Sequence, residues 1–306
     1  MWKYLSKRLI AVIPVFVGVI LISFLMLYML PGDPAVIIAG PFATPETIAV
    51  IRAELGLDLP IYQSFINYIL GIFRGDFGRS LYAQAPVIQL MWPRFLNTVQ
   101  LAVASMLIAT FVGIAVGVIA AVKRGTILDT MSMGVAVFGV SMPSFFLGLG
   151  LMYIFSLQLG WFPSIGYYGL PSLVLPAVTL SMWSWAIIAR MTRTTMLEVL
   201  GLDYVRTARA MGLKERTVIY KYALKNALIP VVTAVGIQFG YALAGAVITE
   251  SVFSWSGIGT LIVESILNRD FPMLRGCMLF VALSFVVVNL ATDIVVFFIN
   301  PRLKHN

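Results

Sequence analysis

Six long apolar runs divide the chain, at about 9–30, 97–122, 130–157, 172–189 (extending toward 196), 226–249 and 276–299. Each is long enough to cross a bilayer as a helix, which takes roughly 20 apolar residues. Within the limits 9–30, 97–122, 130–157, 172–189 and 226–249 there is no charged residue, and the sixth run holds one, Asp293. The runs are continuous rather than alternating, so they predict helices and not barrel strands. Pro143 and Pro176 mark places where the third and fourth helices can kink.

Between the first two runs, residues 31–95 mix polar and apolar positions. Pro31, Pro34, Pro41 and Pro45 punctuate the exit from the first helix. A short helix is expected from Glu46 to Leu55, stopped near Gly56. A second is expected over 61–73, where Ile61, Phe65, Tyr68, Ile69 and Ile72 recur at helical spacing and form one apolar face. Gly75-Asp-Phe-Gly78 reads as a turn. The segment 158–171 carries no charge and has Trp161, Phe162, Tyr167 and Tyr168, residues suited to a membrane interface. The loop 250–275 is short and apolar enough to dip back toward the membrane.

Composition agrees with this pattern. The chain has 306 residues, 60% hydrophobic and 11% charged, against about 25% charged for a soluble domain. It is expected to be an all-α integral membrane protein, one domain over 1–306, with six transmembrane helices. The net charge of +8 is largely topological. With the N-terminus inside, fifteen of the Lys and Arg residues fall in inner segments. Six fall outside, at Arg52, Arg74, Arg79, Arg94, Arg269 and Arg275. The bias places both termini in the cytoplasm. It also makes 31–95 a large extracytoplasmic helical segment. The basic N-terminus leads into a run of about 22 residues without a small-residue cleavage site, so it is read as a retained helix and not a signal peptide. No basic groove with interleaved aromatics suggests nucleic acid.

Much chemistry is missing. The spans lack the ionisable residues common in ion-coupled carriers. Asp293 lies near the inner end of its helix, where a structural pair with Arg190 or Arg193 is expected. No phosphate-binding Gly-x-x-x-x-Gly-Lys-Ser/Thr loop is present, so ATP binding by this chain is not expected. There is no nucleophile elbow and no Cys/His cluster for a metal. An enzyme is poorly supported. Cys277, the only cysteine, is expected to be a buried small residue. Small residues recur four apart at Gly113 and Gly117, and at Gly236, Gly240 and Ala244. They permit close helix packing or line a substrate path.

One polar island stands out, Asp203 to Arg216, within an inner loop of about 197–225. Asp203 suits a helix N-cap, and Gly212 suits a left-handed stop. Tyr204, Ala208 and Met211 fall on one face of this helix, Arg206 and Arg209 on another. Small Ala208 would let the helix sit deeply in a partner's groove, and the arginines can clamp carboxylates there. A second helix follows from about Glu215 toward the fifth span. A loop serving only charge topology would need neither a cap nor a glycine stop.

The chain resembles permease subunits of ATP-binding-cassette importers, in the dipeptide, oligopeptide, nickel and glutathione branch. The resemblance rests on Leu30-Pro-Gly-Asp-Pro34, Leu55-Gly-Leu-Asp58 through Pro60, Gly75-Asp-Phe-Gly78, Asp203 through Gly212 and Lys225-Asn-Ala-Leu-Ile-Pro230. It continues through Phe253-Ser-Trp-Ser-Gly-Ile-Gly259, Arg269-Asp-Phe-Pro272 and Asn300-Pro-Arg302. The polar island is similar to the family's coupling loop, the EAA loop. It departs from the general form: Arg206 replaces the leading Glu, Thr207 replaces the first Ala, and Pro230 lies farther along, while Ala208 and Gly212 remain.

The resemblance implies a multi-pass protein of the cytoplasmic (inner) membrane that pairs with a homologous second permease and two cytoplasmic ATPases. An extracytoplasmic solute-binding protein would deliver substrate. It implies ATPase coupling through Asp203, Tyr204, Arg206, Thr207, Ala208, Arg209, Met211 and Gly212. Asp33, Asp58 and Asp76 are candidates for docking the binding protein. ATP and Mg would belong to the partner ATPases, with no cofactor on this chain. Short peptides are the expected cargo, with nickel or glutathione as alternatives. A stand-alone carrier or channel is the alternative from another class.

Overall fold

The computed structural model describes residues 2–29, 32–40 and 42–299. Leu30, Pro31, Pro41 and the Asn300-Pro-Arg302 motif lie outside them. The described chain is helical, with α1 (Trp2–Leu25), α2 (Pro34–Ala39), α3 (Pro45–Glu54), α4 (Ile61–Phe73), α5 (Val87–Val122) and α6 (Ile127–Ser141). After them come α7 (Ser144–Leu151), α8 (Leu170–Leu200), α9 (Asp203–Ala210), α10 (Glu215–Thr217), α11 (Leu224–Val252), α12 (Ile258–Leu267) and α13 (Phe271–Ile299). π-helical turns extend α7 over Met152–Gln158 and join α10 to α11 over Val218–Ala223. No strand occurs among the described residues, only an isolated bridge between Arg79 and Pro86.

Four helices are long and apolar enough to cross a membrane: Val87–Val122, Leu170–Leu200, Glu215–Ala244 and Phe271–Phe298. The shortest has 28 residues, about 42 Å at 1.5 Å per residue, against a hydrocarbon core of about 30 Å. The third expected span is not one rod. α6 and α7 meet at 105° across Met142 and Pro143, a break rather than the kink expected from sequence. A proline disfavours helical backbone at the preceding residue, and Met142 is extended, at φ −82° and ψ 126°. At Pro176 the helix simply continues. The first expected span, 9–30, is helical to Leu25 and gives way to turns over 26–29. Its apolar stretch Val12–Leu25 falls short of the length that qualifies the other four.

The chain forms two compact units. One takes Val99–Trp255 and the described residues 285–299. Its core gathers Met106, Trp185, Ile188, Val231 and Leu243 with small Ala102, Ala109, Ala186 and Ala189. Glycine sets the spacing of α5 on α8. A Cβ at Gly113 would lie 2.8 Å from Ile188, and one at Gly117 would lie 2.5 Å from the carbonyl of Ala189.

The other unit takes Trp2–Thr98 and Ser256–Ser284. α3 starts as expected. Thr44 caps it, accepting from the Thr47 amide at 3.3 Å, and Pro45 opens its first turn. Gly56, at φ +66°, lies just past its end. α4 covers the expected 61–73, with Phe65, Tyr68, Ile69 and Ile72 packed on Phe16, Ile20 and Leu279. Gly75 and Gly78 have positive φ and form the expected turn. Asp270 ties that region to the start of α13, accepting from Ser80 Oγ, from the Leu81 amide at 3.3 Å and from the Met273 amide at 3.2 Å. Cys277 is buried beside Val87, Met91 and Ile258.

Candidate functional site

The loop after α8 is built around α9. Val205 and Ala208 are buried against Val218, with Val199, Leu200, Leu213 and Tyr222 packed around them. This face of α9 is turned to its own chain. Ala208 is 1% exposed, so its small side chain serves packing inside the loop. The expected groove fit of Ala208 is corrected accordingly: the helix face left exposed carries Tyr204, Arg206, Thr207, Arg209 and Met211.

Asp203 does not cap the helix. Leu202 occupies the N-cap in extended backbone, and no side chain completes that cap. Asp203 stands one residue inside, where a carboxylate still suits the helix dipole, with Arg206 at 3.5 Å. The side chains of Asp203 and Arg206 are 97% and 72% exposed, so their attraction is weak. The other end follows the expectation. Gly212 has φ +75°. Its amide donates to Arg209 O at 2.9 Å, and the Leu213 amide donates to Ala208 O at 3.4 Å. This pair of bonds is the Schellman arrangement, with Leu213 packed back on Ala208.

Two polar ties hold the loop in shape. Arg209 forks onto Glu215, Nε to Oε2 at 3.2 Å and Nη2 to Oε1 at 2.8 Å. That contact holds the Arg209 guanidinium above its ordinary pKa and occupies an arginine expected to serve a partner. Tyr204 Oη accepts from Asn226 Nδ2 at 2.8 Å and donates to Tyr222 O at 3.5 Å, joining α9 to the start of α11. Asn226 was visible only as a letter in a motif, since nothing local shows that it meets Tyr204.

Below this loop Arg193 of α8 forks onto Asp129 in the first turn of α6, at 2.7 and 2.8 Å. Asp129 also accepts from the Gly125 amide at 3.1 Å. Of the two arginines expected as partners of Asp293, Arg190 and Arg193, the latter takes Asp129 instead, 64 positions away. Asp129 sits at the margin of an apolar run, where a single carboxylate gives little signal.

A cavity of about 680 Å³ opens at the break between α6 and α7. Its walls include Ser141, Pro143, Thr179, Trp183, Gln238 and Tyr241, and no lining residue is charged. Of the small residues on α11, Gly236 and Gly240 do not line it. A Cβ on Gly236 would collide with Thr292, and one on Gly240 would come within 2.7 Å of Phe285, both on α13. Ala244 is exposed.

The three outer aspartates have separate local duties. Asp33 caps α2 through the Ala35 amide at 3.0 Å and pairs with Arg52. Asp76 accepts from the Gly78 amide at 2.9 Å. Asp58 is exposed.

Long apolar helices with a short structured knob between two of them are the architecture of a helical membrane protein. Residues 113–305 match the family described as binding-protein-dependent transport system inner membrane component. Residues 1–102 match the N-terminal region of such membrane components. The chain belongs to this family, the inner-membrane permease subunits of ATP-binding-cassette importers. It is 43% identical over 305 residues to the glutathione transport system permease protein GsiC of Escherichia coli (strain K12), with 100% of each chain covered. The GsiC of Salmonella typhimurium (strain LT2) matches at the same 43%. Among solved structures, the inward-facing MetNI methionine ABC transporter in its CY5 native crystal form matches with TM-score 0.61 and 20% identity. That match covers 70% of this chain and 97% of the other. An amino acid ABC transporter with histidines matches with TM-score 0.52 and 16% identity, covering 70% and 94%. These two likenesses concern the fold.

Proposed function

We propose that this permease forms half of a translocation path for short peptides and couples it to a separate ATPase through α9. The observation that carries this reading is the geometry of α9. It is a short helix with one face packed on its own chain, its end locked by Gly212, and its other face presenting Tyr204, Arg206, Thr207, Arg209 and Met211. Asp203 stands at the start of that open face beside Arg206, while Ala208 and Gly212 support it without forming it. Such a knob transmits force because its base is rigid and its top is open to a partner.

In this reading two homologous permeases pair, and each offers α9 to one of two cytoplasmic ATPases that carry ATP and Mg. The chain crosses the membrane six times, with α1 and the α6–α7 pair completing the set and both termini in the cytoplasm. The segment 31–95 meets a solute-binding protein outside. ATP binding closes the ATPases, draws the α9 helices together and opens the path outward, and hydrolysis resets it. Coupling of this kind requires each ligand to favour one of two states. The uncharged cavity at the α6–α7 break suits a path that tolerates varied side chains.

Glutathione, itself a short peptide, is the first cargo to assay, because GsiC relatives match over the full chain. Purification of the tagged chain from its native membrane in mild detergent, with mass spectrometry of what is retained, tests the assembly. Recovery of a second permease and ATPases, with ATP-dependent uptake of labelled glutathione or dipeptides after reconstitution, supports the proposal. Transport by this chain alone without ATP would overturn it in favour of a carrier or channel. Uptake of nickel in place of peptide would overturn the cargo.

A further inference from the structure

Arg275, early in α13, is a half-buried cation that the transport reading leaves unused. Its guanidinium lies over the ring of Tyr68, 5.1 Å from the centroid. Its Nε is sealed from solvent and makes no hydrogen bond. No carboxylate among the described residues lies within ion-pair distance of it. An arginine partly withdrawn from water is stabilised when a carboxylate or phosphate accepts its fork, and the face of one aromatic ring replaces only part of that.

Arg275 lines a cavity of about 290 Å³ whose walls include Asn67, Tyr68, Glu54 and Asp76. Among the described residues the Asn67 amide and the Glu54 carboxylate make no hydrogen bond or ion pair, and Asp76 is committed only to the Gly78 amide. The cavity thus offers a sheltered cation, an amide donor and two carboxylates. That set matches a zwitterion carrying an anionic group and a primary ammonium. Beside the wall residues Asn67 and Gly71, the adjoining strip of α4 exposes apolar Tyr62, Ile66, Leu70 and Phe73. Hydrocarbon chains would cover such a strip.

We propose that this cavity binds the headgroup of a phosphatidylethanolamine-type phospholipid. The phosphate meets Arg275 and Asn67, the ammonium turns to Glu54 and Asp76, and the acyl chains run along α4.

The test uses the purified, delipidated transporter complex, read by native mass spectrometry and by thermal midpoint as lipid is added. Phosphatidylethanolamine is expected to stay bound and raise the midpoint. Phosphatidylcholine, whose quaternary ammonium donates no hydrogen bond, and phosphatidylglycerol, which has no ammonium, should bind about tenfold more weakly. Arg275→Met and Asn67→Leu should each weaken phosphatidylethanolamine binding, the former about tenfold, the scale of one lost charge-assisted contact. Glu54→Gln should narrow the preference over phosphatidylglycerol. Should Arg275→Met fail to assemble, Asn67→Leu at its exposed position still decides. Equal binding of the lipids, or unchanged binding in the variants that assemble, would overturn the site. A midpoint shift from soluble phosphoethanolamine equal to that from the lipid would overturn the lipid source while leaving the headgroup chemistry. The readout is binding, so it stands apart from the outcome of any uptake assay.

Discussion

Gly212 offers a graded test of α9. Its φ of +75° is the left-handed region, and an added Cβ would meet nothing within 4 Å. Substitution therefore perturbs the backbone alone. Gly212→Ala should cost about 1–2 kcal/mol, the penalty for an L-residue in that region. Gly212→Asn should cost less, because its side chain tolerates the conformation. Gly212→Pro cannot adopt a positive φ and removes the amide that donates to Arg209 O at 2.9 Å, so it should cost about 3 kcal/mol or more. A local equilibrium shifts about tenfold per 1.4 kcal/mol. Hydrogen exchange of amides in 203–217 should accelerate several-fold for Ala and more than a hundredfold for Pro, provided opening is local. ATP-dependent uptake by the reconstituted complex should fall in the same order, wild type, Asn, Ala, Pro, with membrane insertion intact. A Pro variant with normal exchange and normal uptake would refute the idea that the Gly212 stop shapes a working knob. So would an Asn variant as damaged as Pro.

The other expectations follow from packing and polar pairing. Ala208→Trp forces a large ring against Val205, Leu213 and Val218. It should abolish ATP-stimulated uptake and speed exchange across α9, whereas an exposed-face change such as Met211→Ala should leave exchange unaltered. Gly117→Leu places a side chain where a Cβ already meets the Ala189 carbonyl at 2.5 Å. The expected loss is about 1–3 kcal/mol of stability, measured as a lower thermal midpoint of the purified complex. Asp129→Ala strips a half-buried Arg193 of its fork. With side chains 27% and 8% exposed, the loss should be about 2 kcal/mol, below the range for fully buried pairs. In a double-mutant cycle Arg193→Met should recover much of it, and strict additivity would show that the pair is not coupled. Tyr204→Phe removes the acceptor for Asn226 Nδ2 and should cost about 1 kcal/mol or less, visible as faster exchange at the start of α11.

Local features of the sequence determined a large share of this molecule. The apolar runs at 97–122, 172–189, 226–249 and 276–299 all lie within helices, because a helix in an apolar medium satisfies its own backbone and needs no distant partner. The α4 boundaries, the stop at Gly56 and the left-handed Gly212 were readable because periodicity and glycine conformation act over a few residues. The family was readable because its motifs are spread along the whole chain.

Tertiary structure decided what depends on residues far apart. Pro143 announced a disturbance, but only the structure shows that it amounts to a 105° break with Met142 extended. Arg193 took Asp129 of α6 as its carboxylate, and Asn226 met Tyr204 across 22 positions. Ala208 turned inward because Val218 and Leu213 return to cover it, and Asp203 entered the helix because Leu202 took the extended N-cap. Arg275 became a sheltered cation over Tyr68 through the meeting of α4 and α13. Hydrophobicity and turn chemistry are properties of neighbours in sequence. The partner of a charge, and the face a small helix shows to others, are properties of the packed whole.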